Sequence, residues 1–424
     1  MSSTIQTNLN AYCRDLADRA RSASSQVASL SRPQIDRWLE LSALRLLNHS
    51  DDVLKANEQD VADARNNALS ESQIDRLTIT DSRLRAIAES LRQIVTLDHP
   101  VGELIQEIHR PNGLLIRKIR VPLGVIFFIY ESRPNVTIDA AAICVKSGNA
   151  VILRGGKEAS RTNAALAAVL RQAALDCKIP HDAIQLVETT DRLAIDLLLA
   201  MNDRIDLAIP RGGEGLIRRV ADAAKMPVLK HFDGNCHVFV DASADIQQAI
   251  DIVVNAKCQR MGVCNACESL LVHQDIADKF LPALEQALES FQIELRADPM
   301  AMAILDKAVP ATEEDWSKEY LGPILSVKVV SDVDQAIAHI NRYGSHHTDA
   351  IVTTSKLSAE QFAHEVDSAA VMVNASTRFN DGAEFGMGAE IGISTDKFHA
   401  RGPCGLRELT TYKYIVQGTG QIRE

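Results

Sequence analysis

The chain has 424 residues, 46% apolar and 24% charged, with 45 Lys and Arg against 56 Asp and Glu for a formal net charge of −11. This composition excludes a disordered, collagenous or coiled-coil chain, and the length suffices for two or three domains with sizeable cores. The acidic balance and the 4% aromatic content exclude a basic nucleic-acid face and a base-stacking platform.

The most apolar run, Val121–Tyr130, is far short of the ~20 residues that a bilayer span needs. Met1–Asn10 has neither a charged head nor an apolar stretch, so no secretion signal and no membrane partner are expected. Cys13, Cys144, Cys177, Cys236, Cys258, Cys264, Cys267 and Cys404 are scattered. That pattern suits reduced thiols in the cytoplasm better than a disulfide framework.

In chain order, the first hundred residues read as helices. Ile35, Trp38, Leu39 and Leu46 recur at helical spacing after Ser31 and Pro33, and Leu84, Ile87, Ala88, Leu91, Ile94 and Val95 do so after a cap at Asp81. Ile105–Arg110, Pro111-Asn112-Gly113 and Leu114–Val121 then read as a β-hairpin, since Asn-Gly tolerates the positive φ of a tight turn. Its charge-rich alternation suits a protruding arm. From Val125 onward, apolar runs at Val125–Ile129, Ala150–Leu153, Ile184–Val187, Leu207–Ile209 and Val238–Val240 alternate with helical stretches. A second series follows, with a helix over Ile246–Lys257 and strands at Leu270–Val272, Val327–Val330, Ala350–Val352 and Val371–Val373. Alternation of this kind predicts parallel α/β sheets, here in two domains plus the hairpin.

Two glycine-rich turns end strands of the first series, Arg154-Gly155-Gly156-Lys157 and Pro210-Arg211-Gly212-Gly213. Glycines there let backbone amides approach an anion at a helix start. Lys157 is followed by Glu158, so this is not a Walker loop, and no intact G-x-G-x-x-G occurs. Cys258, Cys264 and Cys267 cluster within ten residues. They fit a redox or half-zinc C-x-x-C with His231, Cys236 or His237 as further ligands, a single nucleophilic thiolate on a turn, or three buried small side chains. Spacing alone favours the last. Arg133, Arg378 and His399-Ala400-Arg401 are polar spots where a planar guanidinium suits carboxylate or phosphate recognition.

Val121-Pro122-Leu123-Gly124 with Tyr130-Glu131-Ser132-Arg133-Pro134-Asn135-Val136-Thr137 resembles the γ-glutamyl phosphate reductase (glutamate-5-semialdehyde dehydrogenase) family of the aldehyde dehydrogenase superfamily. Gly148–Lys157, Ile209–Gly213, Asn255–Ala266, Val373–Phe379 and His399–Pro403 add to the likeness, which runs through nearly the whole chain. The resemblance implies an aldehyde dehydrogenase-like α/β fold with two parallel-sheet Rossmann-like domains plus a β-hairpin oligomerisation element. Residues 1–104 and 123–240 would bind NADP(H), 241–400 would carry the nucleophile, and 105–122 with 401–424 would form the oligomerisation arm.

It further implies Cys264 as nucleophile and Asn135 as oxyanion donor. Arg154, Gly155, Gly156, Lys157, Gly212, Gly213 and Glu319 would bind the cofactor, and Arg133, Arg260, Ser376 and Arg378 the substrate. No metal is expected. The implied reaction is NADPH-dependent reduction of L-glutamyl 5-phosphate to L-glutamate 5-semialdehyde through a Cys thioester, in the second step of proline biosynthesis. The substrate would come from a glutamate 5-kinase, and the enzyme would be a homo-oligomer, a dimer or a tetramer. Hydrolytic relatives carry a water-activating Glu in the segment matching Lys230–His237, where this chain has none.

Overall fold

The computed structural model describes residues 2–230 and 233–423. The chain divides into one unit of Met1–Lys230, Gly386–Gly392 and Cys404–Glu424, and another of His231–Phe385 and Ile393–Pro403.

The first unit begins with five helices, α1 (Ser2–Val27), α2 (Arg32–Asn48), α3 (Ser50–Asn66), α4 (Glu71–Leu77) and α5 (Asp81–Thr96). Proline in the first turn of α2 sets its start, since the missing N–H has no helical partner to lose there. Its apolar stripe buries Trp38, whose indole N–H donates to the Leu170 carbonyl at 3.1 Å. The cap of α5 is Thr80, not Asp81: the Thr80 hydroxyl accepts the Arg83 N–H at 3.2 Å, and Asp81 is the first helical residue. There its charge complements the positive end of the helix.

Strands β1 (Leu104–His109) and β2 (Leu115–Pro122) form the expected hairpin. They are followed by β3 (Val125–Tyr130), α6 (Asn135–Lys146), β4 (Ala150–Arg154), α7 (Ser160–Asp176), β5 (Ile184–Leu186), α8 (Leu193–Leu199), β6 (Leu207–Arg211) and α9 (Glu214–Ala223). Strands β3 to β6 make a parallel sheet in the order β5-β4-β3-β6. Val125–Tyr130 is buried along its whole length, which is why it reads as an unbroken apolar run.

The second unit carries β7 (Cys236–Val240), α10 (Ile246–Cys258), β8 (Cys267–His273), α11 (Gln274–Leu288), β9 (Glu294–Ala297), α12 (Pro299–Met302), β10 (Val309–Pro310), β11 (Ile324–Val330), α13 (Val333–Tyr343), β12 (Thr348–Val352), α14 (Lys356–Glu365) and β13 (Ala370–Val373). Its parallel sheet runs β10-β9-β11-β8-β7-β12-β13. In sequence, Val238–Val240 continues the first series, but β7 lies inside this second sheet, with Val238 opposite Leu270 on one side and Ala350 on the other. An apolar run reports that a strand is buried, not which sheet buries it.

Short β14 (Gly392–Ser394) and β15 (Gly402–Cys404) precede the last strand, β16 (Thr410–Gln417). In the first unit β16 adds antiparallel to β2, giving a three-stranded sheet β1-β2-β16 with Tyr414 opposite Lys118. Arg117 bridges to Glu107 across the hairpin at 2.7 Å. Tyr412, Tyr414, Ile415 and Val416 remain exposed on the outer strand. Among the described residues no helix is long and apolar enough to cross a membrane, and no disulfide joins any of the eight cysteines.

Candidate active site

In the second unit, residues 259–266 form the irregular link between α10 and β8. The three clustered cysteines occupy different environments. Cys258 ends α10, packs on the hydrophobic core, and has its thiol pushed up to about 11 by burial. Cys267 opens β8, is fully buried, and is pushed by burial up to about 12, with Sγ 3.3 Å from the Ser269 carbonyl. Cys264 stands on the link itself, half-buried. Thiolate formation, which nucleophilic or metal chemistry needs, is opposed at the flanking pair.

Beneath the link, buried Cys236 directs its thiol at the Cys264 carbonyl at 3.2 Å. The His237 ring faces Asp349 at 3.1 Å, whose carboxylate also accepts the His237 N–H. Of the ligands a zinc site would recruit, His231 lies outside the described residues. Among the described residues no group of three or more His, Cys, Asp or Glu side chains could hold a metal ion.

Glu319 accepts the Gly234 N–H at 2.8 Å, which ties its loop to the segment running into β7. Fully buried Lys257 and Glu268 pair across the two ends of the cysteine link, and the second Glu268 oxygen accepts the Leu321 N–H at 3.1 Å. Desolvation pushes the Glu268 carboxyl up, against the pull of the Lys257 ammonium. Spacing gave no sign of this pair, because Lys257 reads as the basic last turn of a helix and Glu268 as a strand residue.

The link is stitched to the loop after β13. Thr377 donates its hydroxyl to the Asn265 carbonyl at 2.7 Å, and the Asn265 amide donates to the Asn380 carbonyl at 3.0 Å. Ser376 is buried and its hydroxyl accepts the Arg378 N–H at 3.2 Å, so its oxygen caps a turn. Arg378 is half-buried and donates to the Gln259 side chain at 2.8 Å. Desolvation lowers its affinity for the proton, and the charge of exposed Arg260 lowers it further. Arg260, Arg378 and Cys264 therefore share one electrostatic neighbourhood. Arg401 is engaged elsewhere, donating to Asp367 at 2.8 Å.

In the first unit, the Gly155–Gly156 turn borders an open cleft at the carboxyl ends of β4 and β5. A Cβ at Gly155 would lie 2.1 Å from the Asn163 amide nitrogen, so the bare backbone is what keeps that wall in place. Arg154 turns inward and donates to the Thr190 carbonyl at 3.1 Å, bracing the opposite wall. Lys157 is the exposed cation of the pair.

The second glycine turn differs. The chain order of the sheet reverses between β3 and β6, where α/β sheets commonly bind ligands, but there the Glu131 carboxylate accepts the Gly213 N–H at 2.9 Å. A side-chain anion already occupies that amide. Exposed Arg133 precedes α6. Asn135 is the first residue of α6, and its amide N–H donates to Asp139 at 3.0 Å.

Parallel sheets, a cysteine on an irregular link and the glycine-turn cleft define an aldehyde dehydrogenase-type oxidoreductase. The aldehyde dehydrogenase family model matches residues 3–304 and 300–414, and the chain belongs to that family. A protein of Rhodopirellula baltica named γ-glutamyl phosphate reductase is 58% identical over 98% of this chain and 96% of its own length. One of the same name from Caldanaerobacter subterraneus is 52% identical over 96% and 99%. The solved structure of γ-glutamyl phosphate reductase from Thermotoga maritima is 44% identical with a TM-score of 0.96, covering 97% of this chain and 100% of that one.

Proposed function

We propose that this oxidoreductase reduces L-glutamyl 5-phosphate to L-glutamate 5-semialdehyde with NADPH, releasing phosphate, in the second step of proline biosynthesis. The observation that carries the reading is the 58% identity, over 98% of the chain, to a relative named for that reaction. The burial of Cys267 and the placement of Cys264 on the link support a single nucleophile.

Cys264 Sγ attacks the acyl carbonyl, a C–S bond forms, and the C–O bond to phosphate breaks with its electron pair leaving on phosphate. Asn135 and the Cys264 backbone N–H are the oxyanion donors in this reading. Arg260 and Arg378 hold the anionic groups of the substrate through their planar donor forks. The cleft at Gly155, Gly156 and Lys157 is open to solvent and offers an exposed cation for a 2′-phosphate in this reading, and Glu319 is a further cofactor residue. Bound NADPH supplies the hydride that reduces the thioester. The C–S bond then breaks with its electron pair leaving on sulfur, the product aldehyde leaves and Cys264 is restored as the thiolate.

The reading also includes a cytoplasmic homo-oligomer held by the β1-β2-β16 sheet and supplied by a glutamate 5-kinase. The test is NADP+ reduction by glutamate 5-semialdehyde with and without phosphate. Strict phosphate dependence is expected. Rapid oxidation without phosphate or arsenate would replace this reading with a hydrolytic aldehyde dehydrogenase.

A further inference from the structure

We propose that Asp139 is a positioning residue, which fixes the orientation of the Asn135 amide so that one N–H is held and the other is presented to a developing oxyanion. The inference rests on the assignment of Asn135 as an oxyanion donor.

The two residues are four apart on α6, and that spacing puts side chains on one helix face. The Asn135 Nδ2 donates to Asp139 Oδ2 at 3.0 Å. In this bond the amide nitrogen donates and Asp139 Oδ2 accepts. The flipped amide would give up that bond and set its carbonyl oxygen against Oδ2, so the orientation with nitrogen toward Asp139 is the favourable one. The amide nitrogen has two hydrogens, and with one committed the second has a defined direction.

Asp139 is itself held. Asp139 Oδ1 accepts at 3.2 Å from the Ser90 hydroxyl on α5, whose single hydrogen is shared with the Ile87 carbonyl at 2.8 Å. Burial pushes the Asp139 carboxyl above its usual range, and the hydrogen bonds from Asn135 and Ser90, with the more distant charge of Arg211, oppose that. Asp139 is thus held from α5 while it restrains Asn135. Fixed donors of this kind stabilise an oxyanion without having to reorganise during the reaction.

The experiment is a double-mutant cycle with Asn135→Ala, Asp139→Ala and both together, alongside Asp139→Asn and thermal melts. Steady-state NADP+ reduction is one readout. The other is acylation of Cys264 by p-nitrophenyl acetate, followed as p-nitrophenolate release, which needs an oxyanion donor but neither cofactor nor phosphate. On both readouts Asn135→Ala should lose on the order of a hundredfold or more. Asp139→Ala should lose roughly tenfold in kcat or acylation rate at unchanged KM, and the double variant should match Asn135→Ala.

Asp139→Asn retains an accepting oxygen and should recover part of the rate. A purely structural role for Asp139 would lower the melting temperature and make the two losses multiply, which overturns the inference. Wild-type rates in Asp139→Ala overturn it too. Wild-type acylation in Asn135→Ala removes the oxyanion assignment and this inference with it. Loss of NADP+ reduction alone, with the acylation cycle as expected, would count against the reductase reading and leave the role of Asp139 standing.

Discussion

Gly234 lies against the backbone of Cys264 so closely that a Cβ at position 234 would sit 1.9 Å from the Cys264 carbonyl oxygen. The obstruction is backbone rather than a mobile side-chain tip, so a side chain at 234 must displace the link that carries the thiol. Glu319 holds Gly234 from the other side through its N–H. Gly234→Ala should therefore reduce kcat by about a hundredfold, the scale expected for a reacting group displaced by about an ångström. Activity and the rate of iodoacetamide labelling of Cys264 measure it. Normal labelling with normal turnover would show that the link relaxes without cost.

Cys264→Ser should abolish turnover in a folded protein, because a hydroxyl is a far weaker nucleophile near neutral pH. Cys267→Ser should keep most of it, since that thiol is buried at the start of β8 and pushed up to about 12. Turnover numbers and circular dichroism of both variants decide. Equal and total loss in both would restore a working C-x-x-C pair.

Lys157→Glu should raise the KM for NADPH by roughly tenfold, equivalent to ~1.4 kcal/mol, and should affect NADH less. Lys157 is the exposed cation at the cleft, whereas Arg154 is turned inward onto Thr190. Comparing the two cofactors in one assay isolates the 2′-phosphate. Equal shifts would remove Lys157 from its recognition.

Deleting Glu107–Lys118 should lower the mass measured by light scattering. The deletion removes most of the hairpin and with it the half of β2, Leu115–Lys118, that pairs with Tyr414–Gln417 of β16. Exposed Tyr412, Tyr414, Ile415 and Val416 on an outer strand are what a second chain would cover. An unchanged mass, or a monomeric intact protein, would defeat the assignment of this sheet as an oligomerisation arm.

The buried strands of both sheets, the amphipathic helices and the hairpin at Asn112-Gly113 were legible because each is written in local periodicity or turn chemistry. The motif around Cys264 was legible as a resemblance of residue types in order. Ambiguity among Cys258, Cys264 and Cys267 persisted at that level, since spacing carries no information about solvent. Burial separates them: two sit in regular elements with raised thiols and one stands on the link.

By itself, then, the sequence determined the strand and helix series, the hairpin and the residue motif around Cys264, all of which depend on neighbours within a few turns of chain. Only the tertiary structure decided that β7 joins the second sheet, that β16 pairs with β2 and that Arg154 faces inward to Thr190. The same holds for the Glu131 carboxylate that fills the Gly213 amide. An apolar run fixes which face is buried, but its partner is set by which distant segment completes the hydrogen bonds and packing. Hydrogen-bond partners and thiol ionisation follow from that long-range choice.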